Sequence, residues 1–137
     1  MSERNTQHKA GKLISLKMEE AAKIEAGKMV AVNAAGYAIE ASDTASIIVV
    51  GVAAETKDNT NGAAEALSVL IHSGQMFKMK NSLTAAVTQA SVGSNVYVED
   101  DETVTIVSGP TNAIVAGQCF GVDTDGVWVL IPSPQIG

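Results

Sequence analysis

A chain of 137 residues with 9 Lys and Arg against 15 Asp and Glu, a formal charge of −6 and a single cysteine has the size of one ordinary domain and no disulfide to staple it. Its acidity argues against a duplex nucleic-acid groove, which needs a basic face to meet phosphate. No apolar run approaches the ~18 residues of a membrane span, and the polar start Met-Ser-Glu-Arg lacks a signal-peptide core. Neither nucleic acid nor a membrane is expected as a partner, and the lone Cys119 points to a reducing setting such as a cytoplasm.

Charge is unevenly placed along the chain. Arg4, Lys9, Lys12, Lys17, Lys23 and Lys28 outweigh Glu3, Glu19, Glu20 and Glu25 in the first 28 residues, so the body that follows is the acidic part. Residues 1–12 are polar and aperiodic and are expected as a flexible N-terminal arm. A basic arm on an acidic body reads as a tether to another protein, which makes Arg4, His8, Lys9 and Lys12 the candidate partner-binding residues. Residues 13–137 are expected to form a single β-rich domain.

Ile14, Leu16 and Met18 alternate with Ser15 and Lys17, the period of a strand. Residues 19–26 are helix-permissive but too short to be stable without packing. From Gly27 an alternating run leads into the turn Asn33-Ala-Ala-Gly36 and a second run with Tyr37 and Ile39, which is a hairpin. Ser46-Ile-Ile-Val-Val-Gly-Val-Ala follows as a further apolar strand, and Thr56-Lys-Asp-Asn-Thr-Asn-Gly-Ala is a loop by its breakers. Two strands then meet at Ser73-Gly74, one with Leu67, Val69 and Ile71, the other with Phe77 and Met79 on one face. Residues 84–90 are expected as a short helical turn.

The hairpin returns. Val96 and Val98 alternate with Asn95, Tyr97 and Glu99, and Val104 and Ile106 resume the period after the tip Glu99-Asp-Asp-Glu102. Four successive carboxylates cannot be buried without partners, so the tip is expected to face water or a partner. Gly27 to Gly93, Val30 to Val96 and Val32 to Val98 are each 66 apart, Ile39 to Ile106 is 67, and Gly51 to Gly121 is 70. These offsets predict an internal duplication, about 26–55 and 92–125. Asp123-Thr-Asp-Gly126 is a hairpin turn, and Val127-Trp-Val-Leu-Ile is a final strand stopped by Pro132 and Pro134. The predicted fold class is all-β: a compact barrel or sandwich of two similar hairpin-containing halves.

Motifs for chemistry are weak. Asp123-x-Asp125-Gly begins like a calcium loop, but the twelfth position, which needs a Glu, holds Pro134. His8 and His72 are the only histidines; His8 lies in the expected arm and His72 follows a strand whose apolar face is offset from it, so both are expected as surface histidines and not as members of a triad. Cys119 has no neighbouring His, Lys or Arg to lower its pKa and is expected as a small buried hydrophobe. No phosphate-binding glycine motif occurs. No catalytic, cofactor-binding or metal-ligating residue is therefore expected.

In chain order, Ala26-Gly-Lys-Met-Val-Ala-Val-Asn, Ala41-Ser-Asp-Thr-Ala, Val49-Val-Gly-Val-Ala, Val92-Gly-Ser-Asn-Val-Tyr-Val-Glu-Asp-Asp and Phe120-Gly-Val-Asp-Thr-Asp-Gly-Val-Trp-Val-Leu-Ile together resemble the small capsid cement, or head decoration, proteins of tailed bacteriophages. The resemblance covers most of residues 13–131. It implies a β-rich structural protein without catalytic activity or cofactor. Such a protein is made in the host bacterial cytoplasm and binds the outer surface of the assembled head, often as a trimer, where it holds neighbouring major capsid subunits together. The alternatives are another virion β protein, such as a tail or fibre adaptor, and a small ligand-binding barrel or enzyme, which would need a pocket with converging polar groups.

Overall fold

A computed structural model describes residues 13–131. The expected arm and the prolines after the last strand lie outside the described residues.

The described residues are nearly all β. The first half contains β1 (Leu13–Lys17), β2 (Lys23–Ile24), β3 (Met29–Val32), β4 (Ala38–Glu40), β5 (Ile48–Ala53), β6 (Lys57–Asp58) and β7 (Ser68–His72). The second contains β8 (Gln75–Asn81), β9 (Asn95–Val98), β10 (Thr103–Thr105), β11 (Val115–Asp123) and β12 (Gly126–Ile131). Two helix-permissive stretches stay almost free of helix. Residues 19–26 hold no helix, because Ala21 takes φ 59 and Lys23–Ile24 pairs with Lys57–Asp58 instead. Between β8 and β9 the helical turn shrinks to one 3-10 turn at Gln89–Ser91.

Both halves run their strands in one order. The first sheet is β1-β7-β5-β3-β4, and the second, a closed barrel, is β8-β12-β11-β9-β10 with β10 returning to β8. Closure of the second uses parallel pairing of Thr103 with Lys80 and Val104 with Asn81. In the first half a single parallel bridge, Met18 to Ala38, stands at the same place. The architecture is therefore two tandem small barrels, the first only lightly closed, which decides barrel over sandwich.

Register makes the repeat quantitative. Val30 pairs with Gly51 and Ala31 with Val49, skipping Val50; Val96 pairs with Gly117 and Tyr97 with Val115, skipping Ala116. Each of these correspondences is 66 residues. Gly27 N–H donates to Ala53 O and Ala53 N–H to Lys28 O, and the same two bonds recur from Gly93 to Cys119 and from Cys119 to Ser94. Gly27 and Gly93 sit at φ 85 and 91, where a side chain would be strained.

Two offsets in the sequence reading are thereby corrected. The partner of Gly51 is Gly117, not Gly121: a Cβ on Gly51 would overlap the His72 carbonyl and one on Gly117 the Leu130 carbonyl, whereas on Gly121 it would meet Trp128 at an ordinary 3.5 Å. Ile39 corresponds to Thr105, not Ile106, because the hairpin loops have equal length; Asn33 N–H donates to Tyr37 O in one and Glu99 N–H to Thr103 O in the other. The repeat also extends beyond the predicted bounds, from Leu13 to His72 and from Met76 to Leu130. Strands β7 and β8 meet at Ser73-Gly74 as expected, but they belong to different halves, so the copies join there; the segment 56–63, expected as a loop throughout, lies inside the first half and carries β6, because Lys57–Asp58 pairs with Lys23–Ile24.

Alternation packs both interiors. Val30, Ala38, Val50, Ala53, Val69 and Ile71 fill the first barrel, and their counterparts Val96, Val104, Ala116, Cys119, Val127 and Val129 fill the second. Strand β3 serves two cores at once. Val30 points into the first barrel while Met29 and Ala31, joined by Ala41, Ile47 and Val52, pack against the second half, with β5 lying against β11 and β12. A strand buried on both faces reads as a continuous apolar run, which Met29-Val-Ala-Val does.

Candidate partner-binding surface

The β8–β12 ladder of the second barrel presents an outward face with large apolar side chains. Strand alternation sends Met79, Val127, Val129 and Ile131 inward, and so sends Met76, Lys78, Trp128 and Leu130 outward. Trp128 pairs with Lys78, and Met76 with Leu130. On the next strand a bulge between Cys119 and Gly121 turns Phe120 outward beside Trp128. Met76, Phe120 and Trp128 stay 53%, 45% and 38% exposed. These residue types are enriched in protein interfaces and rare as bare surface.

Charges orient this face rather than cover it. Lys78 lies 5.7 Å from the Trp128 ring centroid, and the Trp128 indole N–H donates to Asp123 Oδ2 at 3.0 Å. Lys78 also forms ion pairs with Asp125 and Asp123. The hydrogen bond from Lys78 pulls the Asp125 carboxyl below its usual range, and the same bond raises the lysine. The Asp123-Thr-Asp-Gly turn is thus the β11–β12 hairpin turn, with its carboxylates engaged by Lys78. Trp128 was visible in the sequence only as part of a strong strand; the signal for its exposure is its alternation with Val127 and Val129.

The acidic tip at 99–102 does not simply face water. Lys28 of the first half reaches Glu102 Oε2 at 2.8 Å and Asp101 Oδ1 at 3.4 Å, while Lys80 holds Glu102 Oε1 at 3.0 Å. Met29 N–H donates to Asp101 O, and Ser82 Oγ binds Glu99 Oε1 at 2.6 Å. A second tie joins the halves where Thr111 and Asn112 N–H groups donate to the Asp43 carboxylate at 2.7 and 2.8 Å, which holds that carboxyl below its usual range. No sequence spacing announced these contacts, since Lys28 and Glu102 are 74 residues apart.

Arg4, His8, Lys9 and Lys12 lie outside the described residues. Cys119 is fully buried, with its thiol 3.8 Å from Gly121 O. His72 is half-buried on β7. Among the described residues no group of three His, Cys, Asp or Glu side chains converges in a way that could hold a metal, and no helix is long and apolar enough to cross a membrane. The chain matches no protein-family model, no curated protein and no solved structure.

Proposed function

We propose that this chain is a capsid decoration protein of a tailed-phage head, a structural protein that binds the outer capsid surface and holds neighbouring major capsid subunits together. The observation that carries the reading is the outward face of Met76, Phe120 and Trp128, presented by a closed barrel whose strands cannot rearrange cheaply. Aromatic anchors on a rigid frame lose little conformational entropy when a partner covers them. The ordered motifs quoted above, from Ala26-Gly-Lys to Val127-Trp-Val-Leu-Ile, support the same reading by resemblance.

Repetition supplies the stabilisation. Each copy contributes a modest contact, and a lattice of many copies sums them as linked sites do. In this role the basic segment with Arg4, His8, Lys9 and Lys12 is a tether to a neighbouring capsid subunit, the protein acts as a homo-oligomer with a trimer favoured, and no catalysis, cofactor, nucleic acid or membrane is involved. Its place is the outer capsid surface of the virion, after synthesis in the host cytoplasm.

The test mixes purified protein with expanded heads that lack it. Binding over the head lattice and a raised head melting temperature are expected. Labelled protein found at the tail, or heads whose melting is unchanged at saturating protein, would overturn the reading. Removal of residues 1–12 is expected to weaken binding, and unchanged binding would refute the tether alone.

A further inference from the structure

The two halves are alike in fold but not in what covers them. In the first half, Met29, Ala31, Ala41, Ile47 and Val52 form the face that packs against the second half, and none is more than 7% exposed. At a constant 66 residues their counterparts are Asn95, Tyr97, Val107, Ala113 and Gln118. Asn95, Val107 and Ala113 are exposed, Tyr97 and Gln118 half-buried, and Val107 keeps 59% of its surface in water. Among the described residues nothing covers the equivalent face of the second half.

That contrast fixes the kind of contact made inside the chain. A two-fold packing would bury the same face on both halves; here one half uses this face and the other does not. The halves therefore meet head to tail, and a head-to-tail contact leaves one unsatisfied face at each end, from which rings or filaments grow. Shallow grooves mark the open end, one lined by Ser94, Asn95, Tyr97, Ile106 and Val107, the next by Val115, Gln118 and Leu130.

We propose that this face of β9 and β11 is a docking site for the first half of a second copy of the chain, repeating between copies the contact already made within one. One part of the complementary surface is uncovered among the described residues: the first half's hairpin tip, Ala34-Ala35-Gly36, corresponds to Asp100-Asp101-Glu102 and is exposed. The Lys28 ion pair of the contact is replaced on both sides. Lys28 is replaced by Ser94 and its partner Asp101 by Ala35, so the contact between copies loses both members of the ion pair and strands neither charge. Tyr97 in place of Ala31 and Val107 in place of Ala41 add apolar reach, while Asn95 and Gln118 in place of Met29 and Val52 keep the face wettable in the free chain. The proposal names the surface through which the homo-oligomer proposed above would form; it rests on that part of the reading and not on binding to heads.

Sedimentation of the full chain alone, from micromolar to millimolar concentration and with no heads present, separates the two. Concentration-dependent assembly of the native chain is expected. Val107→Asp, at a site 59% exposed, is expected to leave the melting temperature unchanged and to hold the chain as a monomer. Restoring the first half's residues with Asn95→Met and Gln118→Val is expected to tighten assembly by about tenfold or more. A native chain that stays monomeric throughout, or assembly unmoved by both variants, would overturn the proposal whether or not the protein binds heads.

Discussion

Lys28 and Glu102 are 74 residues apart in sequence and 2.8 Å apart in space, and their pairing ties the first barrel to the hairpin tip of the second. Lys80 grips the other oxygen of the same carboxylate, so Glu102 is held by both halves at once. Lys28→Met and Glu102→Gln are each expected to lower the melting temperature, and the double variant to lower it by less than the sum, since both remove one contact.

The pair also fixes a pH response. Hydrogen bonds from Lys28 and then Lys80 hold the Glu102 carboxyl below its usual value. Its contribution is therefore full above the unfolded carboxylate pKa of about 4.3 and is lost as the pH falls through the lower folded value. The melting difference between native and Glu102→Gln is expected to shrink in acid. A difference that grows as the pH falls would contradict this assignment.

Glu40 titrates with the opposite sign. Burial first, then the nearby Asp101 carboxylate, raise its pKa, against the Glu25 N–H that donates to Oε2 at 3.0 Å. A raised carboxyl makes its charged form a cost at neutral pH, relieved as the pH falls through the folded value. Glu40→Gln keeps an acceptor for Glu25 and removes the charge. It is expected to raise the melting temperature at neutral pH and to lose that advantage in acid, where native Glu40 is itself neutral.

Gly51 and Gly117 test the repeat directly. A Cβ at either position would drive into the carbonyl of the neighbouring strand, His72 in one barrel and Leu130 in the other. Neither carbonyl can withdraw without breaking its ladder. Gly51→Ala and Gly117→Ala are expected to cost similar amounts, roughly 1–3 kcal/mol each, as overpacking does. Gly121→Ala, with Trp128 at 3.5 Å as the nearest neighbour, is expected to cost far less. Chemical denaturation of the three variants reads the difference.

The same glycines show what was legible in the chain. Alternation located both hairpins and the terminal strand, because a half-buried strand must repeat every two residues. It also gave the 66-residue spacing from Gly27 to Val32. The strand at 46–53 was aligned four residues out because a Gly-Val pair recurs at Gly121-Val122, and only the neighbouring carbonyl distinguishes a glycine with no room for a Cβ from one that has it. The lightly closed first barrel, the head-to-tail packing and the Lys28 clasp depend on pairings between distant residues, which no local period encodes. The outward Trp128 was written in the alternation of β12.

Trp128 and Phe120 separate stability from binding. Both are partly exposed on the outer face, so truncation leaves the barrel interior intact. Trp128→Ala removes the cross-strand contact with Lys78 and is expected to cost roughly 1 kcal/mol. Head binding is expected to fall by about tenfold or more, since an aromatic anchor at an interface centre carries a disproportionate share of affinity. Trp128→Phe gives up the indole N–H to Asp123 but keeps an aromatic ring, and should bind nearly as well as the native chain. If the loss for Trp128→Ala matched its stability change alone, or if Phe120→Ala and Trp128→Ala both bound heads normally, the capsid would have to engage another face.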